Sequence, residues 1–369
     1  MTQKSYRLGV IGFAHMHVNS LVDYFLELGD KIEWIACSDT EPLTPSLSEK
    51  PGTRKFNLRR TLDVTKIKKV YKNYNEMLEK EKFDIVIFCP ENSKHAEVAQ
   101  ALAKKRINMI TEKPMAASFS EAAQMARAVK IYDVKLVVNW PTTWAASIRK
   151  AKELIEDGEI GDIWQIKWRN LPSLGPLSHD DQEISDLEKG MEWWYQSQAG
   201  GGALLDYCCY GACLSRWFFE EKAIGAFGMK ANFTSHFGDV EDNAAIVVRF
   251  PNGMAILEGS WSTVSNGGKE EGLKIFGTKG TITIVSRDTL YVYKEYASEK
   301  PTKVFDGLSL PSESNTPAKN LINHLEKGEP LHPTLDLEIN LDAMAILEAG
   351  IRSSKSGKME FINDITWNF

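Results

Sequence analysis

The sequence predicts two unlike halves: a doubly wound α/β domain on a mostly parallel sheet, then an α+β domain with a large, open, mainly antiparallel sheet. Three observations predict it. Apolar runs alternate with amphipathic helical stretches up to Trp140, those runs are apolar along their whole length, and from Ala223 strand-like runs follow one another across short turns. A strand covered by helices on both faces carries no polar alternation, whereas strands joined by short turns pair antiparallel. At 369 residues the chain exceeds what one core usually serves, and the change of texture after Trp140 divides it into residues 1–140 and 141–369.

In order, Tyr6–Gly12, Ile32–Ser38, Phe83–Cys89, Ile107–Thr111 and Lys135–Val138 read as strands of the first sheet. Helical patterns run from Gly12 to Leu28, over Ser93–Lys105 and over Ser118–Ile131. In the second half Ala146–Glu156 reads as a helix and Asp162–Arg169 alternates as a half-buried strand does. Leu171–Gly202 is polar, aromatic and irregular, and is expected to be a loop over the cleft that sets specificity, with His179 among its residues. Ala203–Phe219 is a helix by pattern. Between Ala223 and Lys294 the turn signals are Pro251-Asn252-Gly253, Asn266-Gly267-Gly268 and Thr278-Lys279-Gly280, and Pro317–Glu326 and Leu337–Ser354 are the closing helices.

Bulk charge excludes several functions. A net charge of -6 supplies no basic footprint for a nucleic acid. The basic stretch Lys50–Lys72, with Arg54, Lys55, Arg59, Arg60, Lys66, Lys68 and Lys69, reads as a solvated loop and helix face. No apolar run reaches the roughly 18 residues of a membrane span. The five cysteines show no paired zinc-type spacing, and Cys37 and Cys89 end apolar strands as small buried hydrophobes. A cytoplasmic location is expected. His15 and His17 lie on a turn, and no other ligand cluster appears, so no metal is expected.

The strand ending at Gly12 turns into a helix where a dinucleotide-binding domain places its pyrophosphate. The run Gly12-Phe13-Ala14-His15-Met16-His17 keeps the first glycine of the usual three, with Ala14 and His17 in the other two places. A dinucleotide site and a generic tight turn both fit it. Asp39 follows the second strand, where a carboxylate accepts from the adenine ribose hydroxyls and repels a 2′-phosphate. NAD is therefore favoured over NADP, although Asp39-Thr40-Glu41-Pro42 is also good turn chemistry.

At Glu112-Lys113-Pro114, closing a strand at the edge where open α/β sheets bind ligands, the chain resembles the family of glucose–fructose oxidoreductase, inositol dehydrogenase and the MocA proteins. Phe83–Pro90, with Asn92 and His95 after it, is similar to that family's strand before the nicotinamide site. Gly200-Gly201-Gly202-Ala203-Leu204-Leu205-Asp206 resembles its glycine-rich entry to a helix bearing a catalytic aspartate. Gly259-Ser260-Trp261, Gly277-Thr278-Lys279-Gly280 and the segment to Gly357-Lys358 extend the resemblance over nearly the whole chain. Two places depart from it: the glycine turn, and Tyr210 where a histidine usually stands four residues after the aspartate.

The resemblance implies a Rossmann domain and an NAD(P)-dependent oxidoreductase acting on a sugar, polyol or related hydroxy compound. It assigns Gly12, Phe13, Ala14, His15, Met16, Asp39, Pro90, Asn92, His95, Glu112 and Lys113 to the cofactor, and Lys113, Asp206 and Tyr210 to catalysis. Lys113, Trp140, Trp144, Trp193, Asp206 and Tyr210 are assigned to the substrate. In that scheme the Tyr210 hydroxyl passes the substrate proton, Lys113 lowers its pKa and stabilises alkoxide, and Asp206 orients Lys113 or a substrate hydroxyl. Asp206 and Tyr210, four apart, share one face of a helix. Tyr210 also reads as an amphipathic core residue, and the tryptophans as core filling. Two other activities are open: an NAD-dependent glycosidase on the same fold, and a non-catalytic dinucleotide-binding regulator. A homodimer or homotetramer is expected by analogy.

Overall fold

The computed structural model describes residues 5–170, 173–178, 184–264 and 272–362. Six strands form the first sheet: β1 (Tyr6–Phe13), β2 (Ile32–Ser38), β3 (Lys69–Tyr71), β4 (Ile85–Cys89), β5 (Asn108–Glu112) and β6 (Leu136–Asn139). They are all parallel and run in the order β3-β2-β1-β4-β5-β6. The helices between them are α1 (Val18–Leu26), α2 (Arg54–Thr65), α3 (Tyr74–Lys80), α4 (His95–Lys104) and α5 (Phe119–Tyr132). α5 begins at a reciprocal cap between Ser118 and Glu121, which satisfies two of the amide donors a helix start leaves unpaired. Every residue of β4 is buried, as a strand covered on both faces must be. Strand order reverses on either side of β1, and ligands of such sheets lie beyond the carboxyl ends of the strands at that point.

The second half supplies α6 (Ala146–Glu156), β7 (Ile163–Arg169), α7 (Asp186–Met191) and α8 (Cys209–Phe219). Six strands follow, namely β8 (Gly225–Ala231), β9 (Asn243–Arg249), β10 (Met254–Ser260), β11 (Gly272–Gly277), β12 (Gly280–Ile284) and β13 (Leu290–Tyr293). β14 (Lys303–Phe305), α9 (Pro317–Lys327), α10 (Leu337–Ser356) and β15 (Glu360–Phe361) complete it. The nine-stranded sheet runs β14-β13-β12-β11-β7-β10-β9-β8-β15, and among the described residues its one parallel pair is β7 with β10. Local turns join β9 to β10 and β11 to β12 as expected, but β7 enters from earlier in the chain and separates β10 from β11. The Asn266-Gly267-Gly268 turn and His179 lie outside the described residues.

On β9, Ala244, Ile246 and Val248 face inward, and α8 and α10 cover that side of the sheet. α10 lies close to β8 because two glycines face each other: a Cβ on Gly228 would stand 2.2 Å from the Gly350 carbonyl oxygen. α9 packs on α1, and α10 on α5 and β6, so the closing helices tie the two halves together.

The basic stretch departs from expectation. Arg54 is buried, and the face that α2 turns inward is polar: Arg54, Asn57, Thr61 and Thr65. Asn57 Nδ2 donates to the Phe13 carbonyl (2.9 Å), so α2 is fastened by hydrogen bonds rather than by an apolar stripe.

Candidate active site

The site forms where β1, β4 and β5 end and the glycine-rich segment of the second half returns. β5 closes on Glu112, and Lys113 follows with its side chain almost completely buried. A buried ammonium must be paired. Lys113 Nζ donates to Asp206 Oδ1 (2.6 Å) and to the Asp206 carbonyl (2.9 Å), and Asp206 Oδ2 accepts from Trp261 Nε1 (3.0 Å). Burial works against the Lys113 charge, but Asp206 outweighs it and holds the ammonium well above its ordinary pKa. Two of the three Nζ donors are spent on Asp206, which leaves one for a ligand.

Asp206 sits within a π-helical turn, Leu204–Cys208, that leads into α8. The expected plain helix over Ala203–Phe219 is corrected there, and such turns recur at functional sites. Asp206, Tyr207 and Tyr210 still face one cleft of about 300 Å³, shared with Met16, His17, Lys113 and Trp194. Tyr210 meets Lys113 with its ring face, the ammonium standing 4.7 Å from the ring centre, and its other neighbours are Trp168 (stacked, 5.5 Å) and Trp140 (edge-on, 5.7 Å). Burial pushes the Tyr210 hydroxyl well above its ordinary pKa although Lys113 pulls it down. The expectation of a lowered tyrosine pKa is therefore reversed: desolvation of the phenolate outweighs the cation.

The three predicted catalytic side chains are brought together. The tryptophans are not brought to the cleft wall. Trp140 Nε1 donates to Asn340 Oδ1 (2.9 Å), Trp144 Nε1 to Asn139 Oδ1 (2.8 Å), and Trp193 Nε1 to the Ala14 carbonyl (2.8 Å), all buried. Trp194, one residue on, lines the cleft instead.

Gly12 adopts φ +79°, and a Cβ there would stand 2.5 Å from the Pro90 nitrogen, so this turn needs its glycine. Phe13 N donates to Asp39 Oδ1 (3.1 Å) and His15 N to the Cys89 carbonyl (3.1 Å). His17 N donates to His15 Nδ1 (3.1 Å), which places the His15 proton on Nε2. Burial holds His15 neutral, well below its ordinary pKa. His17, at the cleft, bonds Glu112 Oε2 through Nδ1 (3.0 Å), and Glu112 Oε1 accepts from Asn139 Nδ2 (2.5 Å). Asn92 Nδ2 donates to the Gly200 carbonyl (2.8 Å), and His95 Nδ1 bonds the Met115 carbonyl (3.0 Å), its pKa pushed down to about 4 by burial.

The segment around Trp193 and Trp194 spans both halves. It hangs from Ala14 on one side, while Ser197 N and Oγ reach Asp239 (2.7 and 2.6 Å) on the other. Asp39 is not free either. Arg54 Nη1 donates to Asp39 Oδ1 (2.5 Å) and Arg54 Nη2 to Glu91 Oε1. Sequence reasoning missed Glu91 and the roles of Arg54 and Trp261, while Trp194 belongs to the aromatic cluster before the glycine run that it read as suited to a sugar. No local motif marks the first three, since each acts through a partner at least fifteen residues away.

The description "Oxidoreductase family, NAD-binding Rossmann fold" matches residues 30–140, and "GFO/IDH/MocA C-terminal domain" matches residues 148–283. The chain belongs to the Gfo/Idh/MocA oxidoreductase family. Over 287 residues it is 24% identical to myo-inositol 2-dehydrogenase of Thermotoga maritima, covering 75% of this chain and 80% of that protein. It is 25% identical to 2,7-anhydro-N-acetylneuraminate hydratase of Escherichia coli over 56% of this chain and 52% of that one. The structure of levoglucosan dehydrogenase in complex with NADH and levoglucosan matches in fold, with a TM-score of 0.75 at 18% identity over 97% of this chain and 100% of the other.

The residues present fit the NAD that this family's first domain binds. Besides the Gly12 turn, three buried polar atoms beside it have no protein partner among the described residues: His15 Nε2, Asn92 Oδ1 and Trp194 Nε1. Such atoms cost about 1–3 kcal/mol each unless a ligand or water meets them. Among the described residues no three His, Cys, Asp or Glu side chains gather as a metal set, and no helix is long and apolar enough to cross a membrane.

Proposed function

We propose that this oxidoreductase is an NAD-dependent dehydrogenase or reductase of a sugar, polyol or related hydroxy compound, with Lys113 as its proton-bearing group. The single observation that carries this is the Lys113 ammonium, buried in the wall of an aromatic cleft at the carboxyl end of β5 and gripped twice by Asp206. NAD, once bound, supplies the hydride acceptor or donor. The Gly12–His17 turn and Asp39 would hold its phosphates and ribose, and Asn92 and Lys113 its reactive end. In the reductive direction Lys113 Nζ gives its proton to the substrate oxygen and regains one from solvent; in the oxidative direction the same Nζ, its proton first released to solvent, takes the hydroxyl proton of the substrate. Asp206, itself fixed by Trp261, aims Nζ into the cleft. Tyr210, kept protonated by burial, serves as a donor and a ring platform rather than a base. The aromatic walls suit the C–H faces of a sugar ring.

The test is a panel of polyols, inositols and aldoses with NAD, followed through NADH absorbance. Steady NADH formation with at least one cyclic polyol or sugar is expected, and NAD binding with no redox turnover across the panel would remove the proposal. The hydratase among the relatives motivates a second reading, in which this scaffold retains NAD and releases no net NADH. Product formation at constant NADH would identify it.

We also assign residues 1–140 to the cofactor and 141–369 to substrate and assembly. The five free, buried cysteines suit a reducing cytoplasm. Phe227, Val247 and Ile256 lie side by side across β8, β9 and β10 on the side of the sheet turned away from α8 and α10, with Met229 one step along. That apolar face is read as covered by a second copy. Light scattering should show a dimer or tetramer that Val247→Glu converts to monomer; a monomeric wild-type protein would refute this.

A further inference from the structure

We propose that Glu91 is a specificity-determining residue for the dinucleotide, because it withholds Arg54 from a 2′-phosphate. This rests on the NAD-binding reading above. In a Rossmann domain the acid after the second strand meets the adenine ribose, and an arginine nearby is what accommodates the additional phosphate of NADP. This chain has both groups at that place. Asp39 follows the last residue of β2, and Arg54, at the first position of α2, reaches back to it.

The arginine is held so that it cannot serve. Nη1 lies on Asp39 Oδ1 (2.5 Å) and on the Thr40 carbonyl (3.1 Å), and Nη2 is drawn onto Glu91 Oε1 at the end of β4. Thr40 Oγ1 donates to Glu91 Oε2 (3.4 Å), which fixes the carboxylate from its other side. Arg54 is 7% exposed and Glu91 1%, whereas the Asp39 side chain keeps 24% of its surface open. The group a ligand meets is therefore the acid, with the cation behind it.

Asp39 and Glu91 against the Arg54 guanidinium leave these three groups with one net negative charge, the buried Glu192 carboxyl stands near the same arginine, and a phosphate monoester brings about −1.5 to −2 more. Asp39 alone would neutralise Arg54. The second acid tips the sign and occupies the half of the guanidinium fork that would otherwise bind phosphate in bidentate fashion. With both acids neutralised the same atoms form a cationic, fork-shaped phosphate site.

The experiment titrates NADH and NADPH by fluorescence, reading binding rather than turnover. It compares the wild-type protein, Glu91→Gln, Asp39→Ser/Glu91→Gln, and that double variant with Arg54→Gln added. The wild type is expected to prefer NADH by about 100-fold, Glu91→Gln to narrow the gap about tenfold, and the double variant to bind NADPH at least as well as NADH. Arg54→Gln in the double background should abolish the gain. A double variant that keeps NADH binding without gaining NADPH, or a gain that survives Arg54→Gln, overturns the proposal. If circular dichroism shows the double variant unfolded, Glu91→Gln alone decides, since it keeps the hydrogen-bonding shape; an unchanged preference there also overturns it. A wild-type protein that binds neither nucleotide refutes the NAD reading instead, so the two failures are distinct.

Discussion

Replacing Lys113 with methionine is expected to lower turnover by about 10³-fold while NAD affinity changes by less than about tenfold. Methionine fills nearly the same volume but removes the proton, the charge and the hydrogen bond to substrate together. The change also leaves the Asp206 carboxylate buried without its cation, for which a stability loss of about 3–5 kcal/mol is expected. The companion variant Lys113→Met/Asp206→Asn removes that unpaired charge, while the new amide oxygen can still accept from Trp261. It should recover most of the stability and none of the activity. Steady-state kinetics and melting temperatures of the two variants separate chemistry from folding, and activity within tenfold of wild type in either would exclude Lys113 from the chemistry.

Acid should destabilise the protein well before its carboxylates titrate. Burial holds His15 neutral, pushes His95 down to about 4, and pushes His332, packed edge-on against Trp217, down to about 3. In the unfolded chain each takes up a proton near pH 6.5 that the native state refuses. Unfolded molecules then bind more protons, so stability is full above pH 6.5 and falls as the pH drops toward the folded values, by about 1.4 kcal/mol per pH unit for each histidine. Glu121, Glu192 and Asp342, raised by burial, run the other way, since the native state takes up their protons before the unfolded chain does. Thermal or urea unfolding across pH 8 to 5 should show the decline, and His332→Gln should flatten it by about a third. A melting temperature that stays level from pH 7 to 5 would contradict the burial of these imidazoles.

Most of the architecture was legible because the sheet strands announce themselves. Ile32–Ser38 and Ala146–Glu156 are found at their expected bounds, and β4 and β5 within two residues of theirs. α2 was illegible for a physical reason. Its inward face carries Arg54, Asn57, Thr61 and Thr65, while Phe56 and Leu58 escape full burial, so hydrophobic periodicity points the wrong way. The place of β7 between β10 and β11 was hidden as well, since order along the chain does not state which strands pair. At the candidate site, Lys113, Asp206 and Tyr210 could be named from motif and spacing. Their contact could not, because the π-helical turn that sets the Asp206 carbonyl and carboxylate on one ammonium has no signature in residue identity. Trp193 and Trp194 pack on each other and on His15, but only the second also borders the cleft, a difference of one position that sequence does not state.

The double anchorage of the segment through Trp193 and Ser197 bears on timing. An indole hydrogen bond at one end and a pair of aspartate hydrogen bonds at the other make this stretch a clasp between the halves. Nucleotide exchange and the parting of the halves are then expected to be coupled through this one stretch of chain.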